Sequence, residues 1–143
     1  MRVIERRGLV GDAVIVLVQT VRGQGLRHDA PARHRVVVGA LEEILLRPQI
    51  GPDGNSRALQ RFAENWQLPV GCGFRFQDTF DNRHPLYAGD VGIGINPKLA
   101  ARIREAGLVI ALGVRLGEMT TGGYTLLEAP RPKQTLVHIH AGA

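Results

Sequence analysis

The sequence predicts an α/β domain built on a mainly parallel sheet. Three observations predict it. Leu108 to Leu112 is an uninterrupted apolar run, the composition of a strand buried on both faces as in a parallel sheet. Two amphipathic segments, Leu59–Trp66 and Leu99–Ala106, carry apolar residues at helical spacing. After position 55 the elements follow as helix, strand, helix, strand, loop, strand. Short strands alternating with helices of about ten residues imply a parallel sheet with right-handed crossovers.

The elements follow in order. Asn55 or Ser56 suits the N-cap of a first helix, whose stripe is Leu59, Phe62, Ala63 and Trp66, and Pro69 is expected to stop it. Val70, Cys72, Phe74 and Phe76 then alternate with Gly71, Gly73 and Arg75, the period of a strand. Gln77 to Pro85 is polar and turn-rich. Asn96 is a good N-cap, Pro97 fits the first helical position and Gly107 suits the C′ position of a second helix. The apolar strand Leu108–Leu112 follows, then a loop bracketed by Pro130 and Pro132, then a last strand over Gln134–His140.

The first 55 residues carry weaker signals. Ala13 to Val18 reads as a strand, and Val36 to Leu46 as a strand running into a helix or as one helix. Val21 to Pro31 reads as loop, and Gly51-Pro52-Asp53-Gly54-Asn55 is a turn cluster.

A chain of 143 residues can bury a core without disulfides or metals. Its one cysteine, Cys72, excludes an internal disulfide framework and a cysteine-built zinc site. The net charge of +5 invites a nucleic-acid reading, which fails on distribution. Ten of the eighteen basic residues lie scattered in the first 61 positions, ahead of the first aromatic, Phe62, so no aromatic is interleaved for base stacking. The run Ala13–Val18 is about a third of a membrane span. The expectation is a cytoplasmic protein with neither nucleic acid nor membrane as partner.

From Leu59 onward the runs Leu59-Gln60-Arg61-Phe62-Ala63-Glu64, Leu68-Pro69-Val70, His84-Pro85-Leu86-Tyr87-Ala88-Gly89 and Ala111-Leu112-Gly113-Val114-Arg115 through Gly122 share one pattern. In this spacing the sequence resembles the central domain of thiamine-diphosphate-dependent enzymes of the acetolactate synthase kind. The resemblance implies a Rossmann-like, three-layer domain of the FAD/NAD-binding-like type over residues 56–143, incomplete or altered at its N-terminal side. Residues 1–55 match poorly and are expected as extra sheet elements or irregular chain. The family opens this domain with a strand ending in glycines, for which Val36-Val37-Val38-Gly39 is the nearest candidate.

Enzymes of that kind decarboxylate and join 2-keto acids with thiamine diphosphate and magnesium. One domain supplies a glutamate that activates the thiamine ring. Another supplies a Gly-Asp-Gly motif that holds the metal. Gly11-Asp12-Ala13 and Gly89-Asp90-Val91 both lack the second glycine, so no catalytic residue is assigned. The expected role is scaffolding, with other domains or subunits of such an enzyme as partners and homo-oligomers formed over uncovered apolar patches. A truncated or rearranged gene product is one hypothesis. A free-standing module for FAD, ADP or another adenine nucleotide is the alternative.

In flavin-containing members of the family, residues matching Gly113, Arg115, Thr121 and Gly122 contact FAD, and His140, near the end of the last strand, matches a position suited to adenine or ribose. This sequence differs by carrying Gly117 and Met119 where those members have charged residues, and a histidine at 140 where they have an acid. A loop arginine used in domain packing is the other reading of Arg115. Gly92-Ile93-Gly94-Ile95-Asn96-Pro97 could receive an anion at a helix N-terminus, but a tight turn with a helix cap is the favoured reading. His138 and His140 share a strand face without further ligand-like spacing, so no metal site is expected. Cys72 reads as a core thiol.

Overall fold

A computed structural model describes residues 14–18 and 54–139 of the chain, with 14–18, 54 and 55 as backbone. Five strands, β1 (Val14–Val18), β2 (Val70–Gly73), β3 (Tyr87–Val91), β4 (Leu108–Leu112) and β5 (Thr135–Ile139), form one sheet in the order β3-β2-β1-β4-β5. Every pairing is parallel. This is the strand order of a Rossmann-like fold. Among the described residues two α-helices accompany the sheet, α1 (Gly54–Trp66) and α2 (Pro97–Glu105).

β4 shows why the sheet has helices on both faces. All five of its residues are buried. Leu108, Ile110 and Leu112 join a core with Leu59, Phe62 and Ala63 of α1, whereas Val109 and Ala111 join a second core with Leu99, Ala100 and Ile103 of α2. Successive side chains of a strand point to opposite faces, so a strand with no polar face needs two apolar layers.

α1 ends before Pro69, the residue expected to stop it. Gln67 takes a left-handed conformation with φ of 53°. Its N–H donates to the Glu64 carbonyl at 3.3 Å and that of Leu68 to the Ala63 carbonyl at 2.9 Å. This is a Schellman cap, built here on glutamine rather than glycine. At the other end the helix begins at Gly54, so Asn55 and Ser56 lie in its first turn instead of capping it.

α2 starts as expected. Asn96 is the N-cap, its side-chain oxygen accepting the Lys98 N–H at 2.9 Å, with Pro97 first in the helix. Its other end differs. Ala106 is the C-cap in an extended conformation, and Gly107 is not among the residues of positive φ, so no left-handed glycine closes the helix. Gln134 closes it instead. Its side-chain amide donates to the Ile103 and Arg104 carbonyls at 3.2 and 2.9 Å.

Two strands depart from the expected pattern. β2 stops at Gly73, because Arg75 turns left-handed (φ 67°) and Phe76 donates its N–H back to the Gly73 carbonyl. β3 has no counterpart in the sequence reading. It is an edge strand, half-buried over Tyr87–Gly89, and pairs with β2 across an irregularity between Val70 and Gly71. Val14–Val18 occupies the centre of the sheet, the place for which Val36-Val37-Val38 is the sequence candidate; the latter lies outside the described residues.

Candidate functional site

In a parallel sheet all strands end on the same edge, and a crevice opens where the connections leave in opposite directions. Here β1 lies between β2 and β4, with the chain reaching β2 after β1 and crossing β1 to reach β4 after β3. The carboxyl end of β4, beside that of β1, is therefore the switch point of this sheet.

Gly113, Val114 and Arg115 leave β4 at this point. Gly113 adopts φ of 64°, where a side chain would be strained, and donates its N–H to the Ile139 carbonyl at the end of β5 at 2.6 Å. Val114 is buried in the α2-side core, and its carbonyl lies 2.8 Å from Nε2 of His138. Arg115, next in the chain, is exposed.

Thr121 and Gly122 sit further along the same connection. Thr121, 4% exposed, organises its loop. Its hydroxyl donates to the Gly117 carbonyl at 2.9 Å and accepts the Tyr124 N–H at 3.0 Å. Its own carbonyl accepts from the N–H groups of Thr125 and Leu126. The hydroxyl proton is thus committed within the loop. Gly122, Gly123 and Tyr124 follow with three consecutive positive φ values of 58°, 69° and 62°. Gly113, Arg115, Thr121 and Gly122 consequently share the β4–β5 connection, and His140 lies outside the described residues.

The neighbouring loops close onto this one. A Cβ on Gly92, just after β3, would lie 2.9 Å from the Met119 carbonyl oxygen and 3.0 Å from Cβ of Phe74, just after β2. Connections from β2, β3 and β4 therefore meet at one glycine. Ile93, Met119 and Tyr124 are exposed large apolar residues on the same loops. The sequence reading missed this meeting point and the His138–Val114 contact. Gly92-x-Gly94 was its only local trace.

Two titratable groups of β2 and β3 are shifted by their surroundings. Burial pushes the Cys72 thiol up to about 11, so it stays neutral and unreactive near neutral pH. Burial, and then the Asp90 carboxylate 2.7 Å from its hydroxyl, raise Tyr87. Among the described residues, no group of three or more His, Cys, Asp and Glu is placed to hold a metal ion. These residues do not fit a magnesium–diphosphate centre.

The family described as thiamine pyrophosphate enzyme, central domain, matches residues 48–142. A sulfoacetaldehyde acetyltransferase of Roseovarius nubinhibens is 38% identical over 64 residues, covering 45% of this chain and 11% of that protein. A second sulfoacetaldehyde acetyltransferase, of Alcaligenes xylosoxydans, is 37% identical over 62 residues, 43% of this chain and 10% of its own length. A 3D-(3,5/4)-trihydroxycyclohexane-1,2-dione hydrolase of Clostridium perfringens is 35% identical over 75 residues, 51% of this chain and 11% of the relative. The match thus spans only 10–11% of these relatives' length.

Proposed function

This chain belongs to the family of thiamine pyrophosphate enzyme central domains, and from that premise we propose that it serves as the non-catalytic scaffold, with adenine-nucleotide binding, of a thiamine-diphosphate- and magnesium-dependent enzyme of the acetolactate synthase-like kind. The observation that carries the reading is the parallel sheet whose carboxyl edge presents Gly113 and Arg115 at the end of β4. Residues 56–143 form the central domain in this reading, and residues 1–55 an N-terminal segment that contributes β1.

The nucleotide of the proposal is FAD or ADP. Gly113 would let backbone approach the ligand closely, and the Arg115 guanidinium would bridge its phosphates. Thr121 and Gly122 would border the ligand, with Thr121 shaping the loop because its proton is already used. His140 would lie towards the adenine or ribose. Thiamine diphosphate and magnesium would be held by other domains or subunits, which supply the catalytic groups. Decarboxylation and carboligation of 2-keto acids is the activity proposed for the parent. The names of the relatives, which refer to an aldehyde and a cyclic dione, support carbonyl chemistry. Self-association through exposed apolar residues and a cytoplasmic location complete the proposal. No helix among the described residues is long and apolar enough to cross a membrane.

The test has two arms. With added thiamine diphosphate and magnesium the chain alone is expected to show no turnover of pyruvate; turnover would overturn the scaffold reading. In a thermal-shift series with FAD, ADP, NAD and coenzyme A, a rise in melting temperature with FAD or ADP is expected, since a ligand that binds only the native state stabilises it. No shift with any of the four would remove nucleotide binding and leave the scaffold.

A further inference from the structure

We propose that His138 is a positioning residue that sets the place from which Arg115 leaves the backbone, an inference that rests, for its ligand, on the nucleotide reading above. A carbonyl oxygen can only accept, so the 2.8 Å contact between His138 Nε2 and the Val114 oxygen is a hydrogen bond donated by the ring. The Val114 carbonyl belongs to the same rigid peptide plane as the Arg115 nitrogen. Fixing that oxygen fixes the plane, and with it the Arg115 Cα from which the side chain starts.

The bond does not act alone. One residue earlier, the Gly113 N–H is tied to the Ile139 carbonyl at 2.6 Å. The Val114 side chain between the two ties is fully buried. β5 thus holds the turn after β4 at two successive residues, once through backbone and once through a side chain. The backbone tie is available to any residue at 139. The second requires a donor of the right reach at 138, because His138 stands on the α2-facing side of a strand whose Val137 and Ile139 point into the α1-side core. A preorganised arginine loses less freedom when it engages a phosphate.

The variants are chosen by reach and donor. Glutamine places an amide N–H about where the imidazole Nε2–H lies, whereas phenylalanine keeps a flat ring without a donor. His138→Phe is expected to weaken ADP binding by about two- to twelvefold, which is what about 0.5–1.5 kcal/mol for one hydrogen bond converts to, with His138→Gln near wild type. Amide hydrogen exchange in the ligand-free chain supplies the readout that does not depend on binding. Faster exchange confined to residues 113–117 in His138→Phe, restored in His138→Gln, is the expected result. Unchanged exchange, or equal exchange in both variants, would overturn the proposal. If exchange behaves as expected while wild type binds no ADP, the anchoring of the loop stands and the nucleotide reading fails.

Discussion

The imidazole of His84 ties two separate parts of the chain, with Nε2 lying 3.0 Å from Oε1 of Glu64 on α1. Its Nδ1 accepts the Leu86 N–H at 3.1 Å, and its ring stands edge-on to Phe80 at a centroid distance of 5.2 Å. The turn ahead of β3 is thereby pinned to the helix.

Glu64 links this pin to pH. A hydrogen bond from Gln60, and secondarily the one to His84, hold its carboxyl below the usual value. A carboxyl lowered on folding contributes stability above its unfolded pKa and loses it as pH falls through the folded one. Melting temperature measured from about pH 6 to about pH 3 should therefore fall less steeply in Glu64→Gln than in wild type. His84→Ala should cost about 1–3 kcal/mol at neutral pH by urea denaturation, from lost hydrogen bonds and ring contact.

Gly92 is the point where three connections touch. At φ of 134°, with Cβ room limited by the Met119 carbonyl oxygen, an alanine can be accommodated only by moving backbone. Gly92→Ala should lower stability by about 2–4 kcal/mol, read from the shift in urea midpoint. By contrast, Gly94→Ala meets open space and bears only the cost of its φ of 75°.

Cys72 should be silent to thiol reagents while the chain is folded. With the thiol pushed up to about 11, about one molecule in a thousand carries a thiolate at pH 8. Ellman's reagent at that pH should release no colour from the native chain and one equivalent per chain after denaturation. Rapid native labelling would contradict the burial of β2.

Arg115→Ala tests the ligand side of the switch point. As an exposed loop residue it should change the stability of the free chain by less than about 1 kcal/mol. Saturating ADP at about a hundred times its Kd should contribute about 2.7 kcal/mol to wild type, and that gain should disappear in the variant. Equal thermal shifts in both proteins would remove Arg115 from the proposed site.

The sequence revealed what depends on local pattern. β4 was legible because five apolar residues in a row have no other soluble use than a two-faced core. The Asn96–Pro97 start of α2 was legible because capping chemistry is local. β3 was not, since an edge strand needs no apolar face and this one contains Gly89 and Asp90. The overrun of β2 has a similar cause: Phe74 and Phe76 alternate correctly, but the left-handed Arg75 between them cannot be read from period. The candidate residues 113, 115, 121 and 122 came from resemblance. That His138 reaches Val114 is a contact between residues 24 apart, which no spacing rule encodes; the Thr121 hydroxyl is occupied by neighbours four residues before and three after it, but only the turn geometry decides which of its possible local bonds forms.

The central position of Val14–Val18 bears on how the chain reaches its native state. Val14 is in register with Leu108, and Val16 with both Val70 and Ile110. Among the described residues, β3 and β2 are paired in the sheet with β4 and β5 only by way of β1. Contacts this far apart along the chain have a high contact order, so the two pairs can form early while the sheet closes last, at the slow rate of non-local parallel pairing. A chain shortened to begin after residue 18 would keep two strand pairs with unsatisfied inner edges, prone to associate between molecules.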